Sequence, residues 1–148
     1  MPNQYALLKE KHQREVDEFP FFFAFSNQQF EEGMARFGLS PDDTDKIYCL
    51  KGTGGFYLRS DAERLHRMFD RQHEEHKAAI AADATGYGYI FDMFYYELNN
   101  HEYGYTGYIE DTLNAIEITV DEINADTRFQ RALKQAVRKI NKQTQARG

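Results

Sequence analysis

The sequence predicts an α+β fold: one domain over residues 1–148, with a small antiparallel sheet of about three strands, several helices packed with it, and a helical C-terminal half. Three observations predict it. The candidate elements run α-β-α-β-β-α-α-α-α, an order that builds an antiparallel sheet with segregated helices rather than a parallel sheet. Neither a repeat nor an interdomain linker interrupts them. The length of 148 residues sits at the commonest single-domain size, where about 68–70% of the unfolded surface can be buried.

Each element has a local reason. Residues 3–18 read as a helix because Tyr5, Leu8, His12, Val16 and Phe19 recur at helical spacing among charges; Pro20 ends it. Residues 21–25, Phe-Phe-Phe-Ala-Phe, are short, aromatic and bounded, and read as a buried strand. Ser26 with Gln29 forms a capping box that opens a second helix. Phe30, Met34 and Phe37 make its apolar stripe, and Gly38 suits its C-terminal exit. Ile47–Leu50 and residues 56–59 are strand-like, joined by Lys51-Gly52-Thr53-Gly54-Gly55 as a hairpin connection. Cys49 within the first run reads as a small hydrophobe. Ser60 and Glu63 suggest a second capping box, opening a helix that runs to about Ala82. Residues 86–89 break the chain. Residues 89–99 read as a strongly apolar helix, with Ile90, Phe91, Phe94 and Leu98 on one face; the tyrosine content leaves a strand as the alternative. Glu110–Ile116 is a short helix, Thr119 and Glu122 form a third capping box, and Asp126 caps a last helix from Thr127 to about Lys142. Its apolar stripe is Phe129, Leu133, Ala136, Val137 and Ile140, and residues 143–148 are expected to fray.

Composition excludes several classes. Apolar residues make up 41% and charged residues 28%, which excludes collagen-like and disordered chains. No run approaches the roughly 20 apolar residues of a membrane span. The polar start, Met1-Pro2-Asn3-Gln4, reads as no signal peptide, so the expectation is a cytoplasmic protein without membrane attachment. One cysteine excludes an internal disulfide framework and a cysteine-based zinc cluster.

Charge is distributed unevenly. The net charge is −6, but residues 1–124 carry −12 and residues 125–148 carry +6. Between Ala78 and Thr127 there is no Lys or Arg, while ten acids and seven tyrosines occur there. Such asymmetry favours a basic partner for the body, or docking of the tail on it. It opposes direct nucleic-acid binding except through the basic C-terminal helix.

Three segments carry a resemblance. They are Phe-Phe-Phe-Ala-Phe-Ser-Asn-Gln-Gln-Phe-Glu-Glu-Gly (21–33), Lys-Gly-Thr-Gly-Gly-Phe-Tyr-Leu-Arg-Ser-Asp (51–61) and Glu-Leu-Asn-Asn-His-Glu-Tyr (97–103). In this order, over roughly residues 5–125, the chain resembles a small family of short bacterial proteins of unknown function, common in phages and other mobile elements. The resemblance implies no activity and transfers no catalytic residue. It implies a mobile-element role, and with it an interaction with host machinery.

Four constellations are candidates for chemistry. His66, Asp70 and His73 share a helical strip that could hold a divalent metal if their donors converged; the competing reading is a solvated face, and no metal or other cofactor is expected. The Gly-rich loop 51–55 lacks the strand–turn–helix setting of a phosphate loop. Glu97 and His101 are i, i+4 neighbours, and a carboxylate-positioned histidine can serve as acid or base; the competing reading is an ordinary helix end. The fourth is the acidic, tyrosine-rich stretch: Tyr87, Tyr89, Tyr103, Tyr105 and Tyr108 with Glu102, Glu110 and Asp111. Tyrosine suits interfaces, and rings with carboxylates suit a partner rich in Arg and Lys.

The expectation is therefore a binding protein whose acidic, tyrosine-rich half engages a basic protein surface, concretely an inhibitor of a host defence nuclease. The rivals are a small metal- or His-dependent enzyme, and docking of nucleic acid or protein through the basic C-terminal helix. The sequence leaves the oligomeric state open.

Overall fold

The structure, a computed structural model, describes residues 2–147, so Met1 and Gly148, the ends of the polar start and of the expected frayed tail, lie outside the described residues. The architecture is α+β, with a three-stranded antiparallel sheet and a helical C-terminal half. The chain divides into two compact units: Gln13–Glu74, and the residues before and after it.

The Gln13–Glu74 unit holds the sheet. The first helix, α1 (Gln4–Glu18), ends before Pro20 and delivers Phe19 into this unit's core. Strand β1 is only Phe22–Phe23. It pairs antiparallel with β3 (Gly55–Leu58), which pairs antiparallel with β2 (Ile47–Leu50), in the order β1-β3-β2. Residues 21–25 are thus not a buried strand throughout. The side chains alternate, so Phe22 is buried while Phe23 and Phe25 are exposed, as the period of two requires.

Helix α2 (Asn27–Arg36) covers one face of the sheet, where Phe22, Met34 and Ile47 pack together. A side chain at Gly33 would collide with the Phe22 ring, so the close approach of helix and strand needs glycine there. Ser26 caps α2 by accepting from Gln29 N at 3.2 Å. The reciprocal arm differs from a capping box: Gln29 Oε1 accepts from Phe25 N, not Ser26 N. At the other end Gly38 takes φ +72°, and Gly38 N donates to Ala35 O while Leu39 N donates to Met34 O, a Schellman exit. On the other sheet face Phe19, Tyr57 and Leu65 pack together.

The glycines of the 51–55 connection behave as a hairpin requires, with positive φ at Gly52 and Gly54. Cys49, expected as a small buried hydrophobe, is exposed. It lies on β2, an edge strand, on the same face as Ile47 two residues before it, yet it stays exposed there. Ser60 is not a helix cap but lies inside a 3-10 turn, Arg59–Asp61, that leads into α3 (Ala62–Ala82).

The second unit is built around α4 (Tyr89–Asn100), a helix and not a strand, with Ile90, Met93, Phe94 and Leu98 fully buried. Four further helices follow: α5 (Tyr103–Thr106), α6 (Glu110–Ile116), α7 (Val120–Ala125) and α8 (Thr127–Arg147). The Thr119–Glu122 capping box is complete, and Asp126 caps α8 by accepting from Arg128 N at 2.9 Å. Helix α8 runs five residues past its expected end, and Gln143 accepts from the Tyr95 hydroxyl at 2.9 Å, so its last turns are held on α4. The innermost row of α8 is Phe129, Ala132, Ala136 and Ile140; Leu133 and Val137, expected in that row, flank it half-buried. The alanines let α8 approach α4 closely.

The loop between α3 and α4 is organised by one carboxylate. Asp83 accepts from the backbone N–H of Gly86 at 2.9 Å, Ile90 at 3.0 Å, Gly88 at 3.1 Å and Thr85 at 3.3 Å. Burial works against its charge, but these hydrogen bonds hold its pKa below the usual carboxylate value. Arg128 reaches the last turn of α3 and the same loop, donating to Ile80 O and Asp83 O while forking onto Asp126. This Arg128 hydrogen bonding is also what most strongly lowers the Asp126 pKa.

Candidate interaction surface

The tyrosine-rich stretch separates into core and surface. Tyr89, expected to meet a partner, is a core residue: its ring stands edge-on to Tyr5, and its hydroxyl lies 2.6 Å from His76 Nδ1. Burial pushes its phenol pKa above the ordinary value. Tyr103 is half-buried against the α4–α8 core. Tyr87 is exposed but faces inward chemistry, with the Arg131 guanidinium 5.9 Å from its ring. Tyr105 at 80% exposure and Tyr108 at 72% stand out from the surface.

Local sequence explains why they do. Glu102 leaves α4 in the left-handed conformation, φ +59°, and Gly107 leaves α5 in the same way, φ +71°. The one-turn helix between them is pinned to α8 at Gly104, where a β-carbon would meet Thr144 Oγ1 at 2.7 Å. Tyr103 points inward and Tyr105 outward, as residues two apart on a helical turn must.

The acids divide in the same way. Of the ten between Ala78 and Thr127, Asp83, Asp92 and Asp126 are half-buried and Glu97 is buried, while Glu102, Glu110, Asp111, Glu117, Asp121 and Glu122 are exposed. Among the described residues no Lys, Arg or His pairs with any of these six. Glu122 closes the Thr119 capping box. Glu110 and Asp111 stand in the first turn of α6, where the helix dipole favours them. The unpaired carboxylates Glu102, Glu110 and Asp111 therefore bracket Tyr105 and Tyr108 within ten residues of chain.

A model of a family described as Family of unknown function (DUF7659) matches residues 4–139. The chain belongs to that family. No curated protein and no solved structure matches it.

The other candidates fare differently. Glu97 does not position His101. Its carboxylate, 2% exposed, accepts from the Tyr5 hydroxyl at 3.1 Å and from Asn100 at 3.4 Å, and lies 3.5 Å from Lys9 Nζ. His101 instead terminates α4, its backbone N–H donating to Glu97 O. Sequence reasoning missed the Tyr5–Glu97 pair because its partners stand 92 positions apart. His66, Asp70 and His73 are all exposed along α3. Among the described residues no group of three or more His, Cys, Asp or Glu side chains converges as a metal site, and no helix is long and apolar enough to cross a membrane.

The cations of α8 also divide. Arg128, Arg131 and Lys139 turn back onto the body, the last with its ammonium 4.3 Å from the Tyr95 ring centre. Lys134, Arg138 and Lys142 follow one another at single-turn spacing on the exposed face.

Proposed function

We propose that this protein acts by binding, presenting Tyr105 and Tyr108 with Glu102, Glu110 and Asp111 to a basic surface on another protein. The observation that carries the reading is two exposed tyrosine rings set among carboxylates that no Lys, Arg or His pairs with among the described residues. Exposed rings with carboxylates close by in the chain match guanidinium and ammonium groups by cation–π contact and ion pairing. Such charge steers association more than it adds affinity.

The concrete form of the proposal draws on the resemblance to proteins common in phages and mobile elements. In a host cytoplasm, the protein inhibits a defence nuclease by occupying the basic site where nucleic acid would bind. Tagged protein is incubated with nuclease-treated host lysate, beside the triple variant E102Q/E110Q/D111N. The expected result is a basic protein retained by the parent, lost with the variant, and displaced by added nucleic acid. Identical retention by both proteins contradicts the reading.

A second reading has one observation in its favour. Lys134, Arg138 and Lys142 form an exposed row on an acid-free helix, which suits a polyanion. K134Q/R138Q/K142Q abolishing capture, while the acidic triple variant keeps it, would favour that reading.

A further inference from the structure

We infer that the acidic face contains a socket for one long cationic side chain, and that its occupant is an arginine of the basic partner; the inference rests on the acidic-surface reading above. The end of α4, the α5 turn and the last turns of α8 enclose a groove of about 360 Å³. Its chemistry selects a cation. Glu102 belongs to its lining, and no Lys, Arg or His pairs with the Glu102 carboxylate among the described residues. Helix α4 ends beside it with no basic residue in its last turn, so the carbonyl end of the helix adds partial negative charge. Tyr105 supplies an exposed ring at the rim. Ile140 and Gly104 give an apolar stretch for the methylene stem of the entering side chain. Arginine fits better than lysine, because a planar guanidinium can fork onto Glu102 and stack on Tyr105 together.

The backbone adds an independent observation. Glu102 holds φ +59°, a conformation that favours glycine. Glu117, at the end of α6, shares that geometry but does not line the groove. Of these two glutamates only Glu102 combines the unfavourable backbone with a place in the lining of a groove, as strain at functional positions often does. Arg147, the one cation among these lining residues, forms no ion pair with Glu102 and opposes an incoming charge.

The test is an amide NMR titration of the full chain with N-acetyl-arginine methylamide, its lysine counterpart and its neutral citrulline counterpart. The arginine probe is expected to shift Asn99, Gly104 and Tyr105 saturably, the lysine probe more weakly, and the citrulline probe not at all. E102G is expected to melt no lower than the parent yet bind arginine about tenfold or more weakly. E117G, which relaxes the same backbone strain outside the groove, keeps parental arginine binding, and R147Q tightens it. Equal shifts with citrulline, or parental arginine binding by E102G, overturn the socket. If the socket fails while E110Q/D111N still weakens association with a basic partner, the acidic-surface reading stands alone. If arginine binds but no basic protein associates, the socket stands and that reading falls.

Discussion

Tyr5 and Glu97 show how one pair ties the N-terminal helix to the core. The buried carboxylate of Glu97 relies on the Tyr5 hydroxyl, and Tyr5 also meets Tyr89, Tyr96 and His76 edge-on. Y5F should leave Glu97 with one partner fewer and cost about 1–3 kcal/mol in denaturant unfolding; an unchanged midpoint would show the pair to be dispensable. Burial pushes the Tyr5 phenol up, the Glu97 charge pushes it further, and burial alone raises Tyr89. A phenol pKa raised in the folded state adds stability that is intact below the free value of about 10 and is lost as pH rises above it. Absorbance titration should find that these two of the ten tyrosines resist ionisation until the chain unfolds. Ionisation of all ten at the free value would contradict the buried placement.

At the scale of elements, α4 is the helix to perturb, and its start is held from outside. Gly88 at its N-cap has no side chain to offer, so Asp83 supplies the acceptor seven residues before Ile90. D83A should cost about 0.5–2 kcal/mol, within the range of a lost cap, and speed amide exchange at Ile90 and Gly88. Because the Asp83 pKa is lowered, this contribution is present above about pH 4 and lost as pH falls below it; exchange insensitive to D83A would contradict the cap. The innermost row of α8 gives a second test. A136L should cost about 1–3 kcal/mol by overpacking, and L133A less than the 2–5 kcal/mol of a fully buried leucine. The reverse order in thermal melts would restore the stripe expected from the sequence.

These elements also show what was legible beforehand. Helix starts at Asn27, Val120 and Thr127 were readable because capping is local chemistry within four residues. The hairpin was readable because its glycines need positive φ. Strand order was not, so Cys49 was misplaced: an edge position depends on which strand pairs with which. Tyr89 and Tyr105 look alike in sequence, and only the packing of α4 and α5 separates core from surface. Asp83 went unread because a cap seven residues before its target has no short-range signature.

For the molecule as a whole, charge is the property that points outward. The C-terminal helix turns Arg128, Arg131 and Lys139 onto carbonyls and aromatic rings of the body, and Glu102, Glu110 and Asp111 stay unpaired with any Lys, Arg or His among the described residues. Removing the Glu110 and Asp111 charges should cost only about 0.3–1 kcal/mol each through the α6 dipole, so the fold survives the substitution. The measurement that bears most directly on the proposed role is the association rate with the captured basic partner, taken across ionic strength for the parent and for E102Q/E110Q/D111N. The parental rate is expected to fall steeply with salt, since exposed charges are screened beyond roughly 10 Å at 0.1 M, and the variant to start slower and follow a shallower slope. Equal rates for the two proteins at every salt concentration would contradict it.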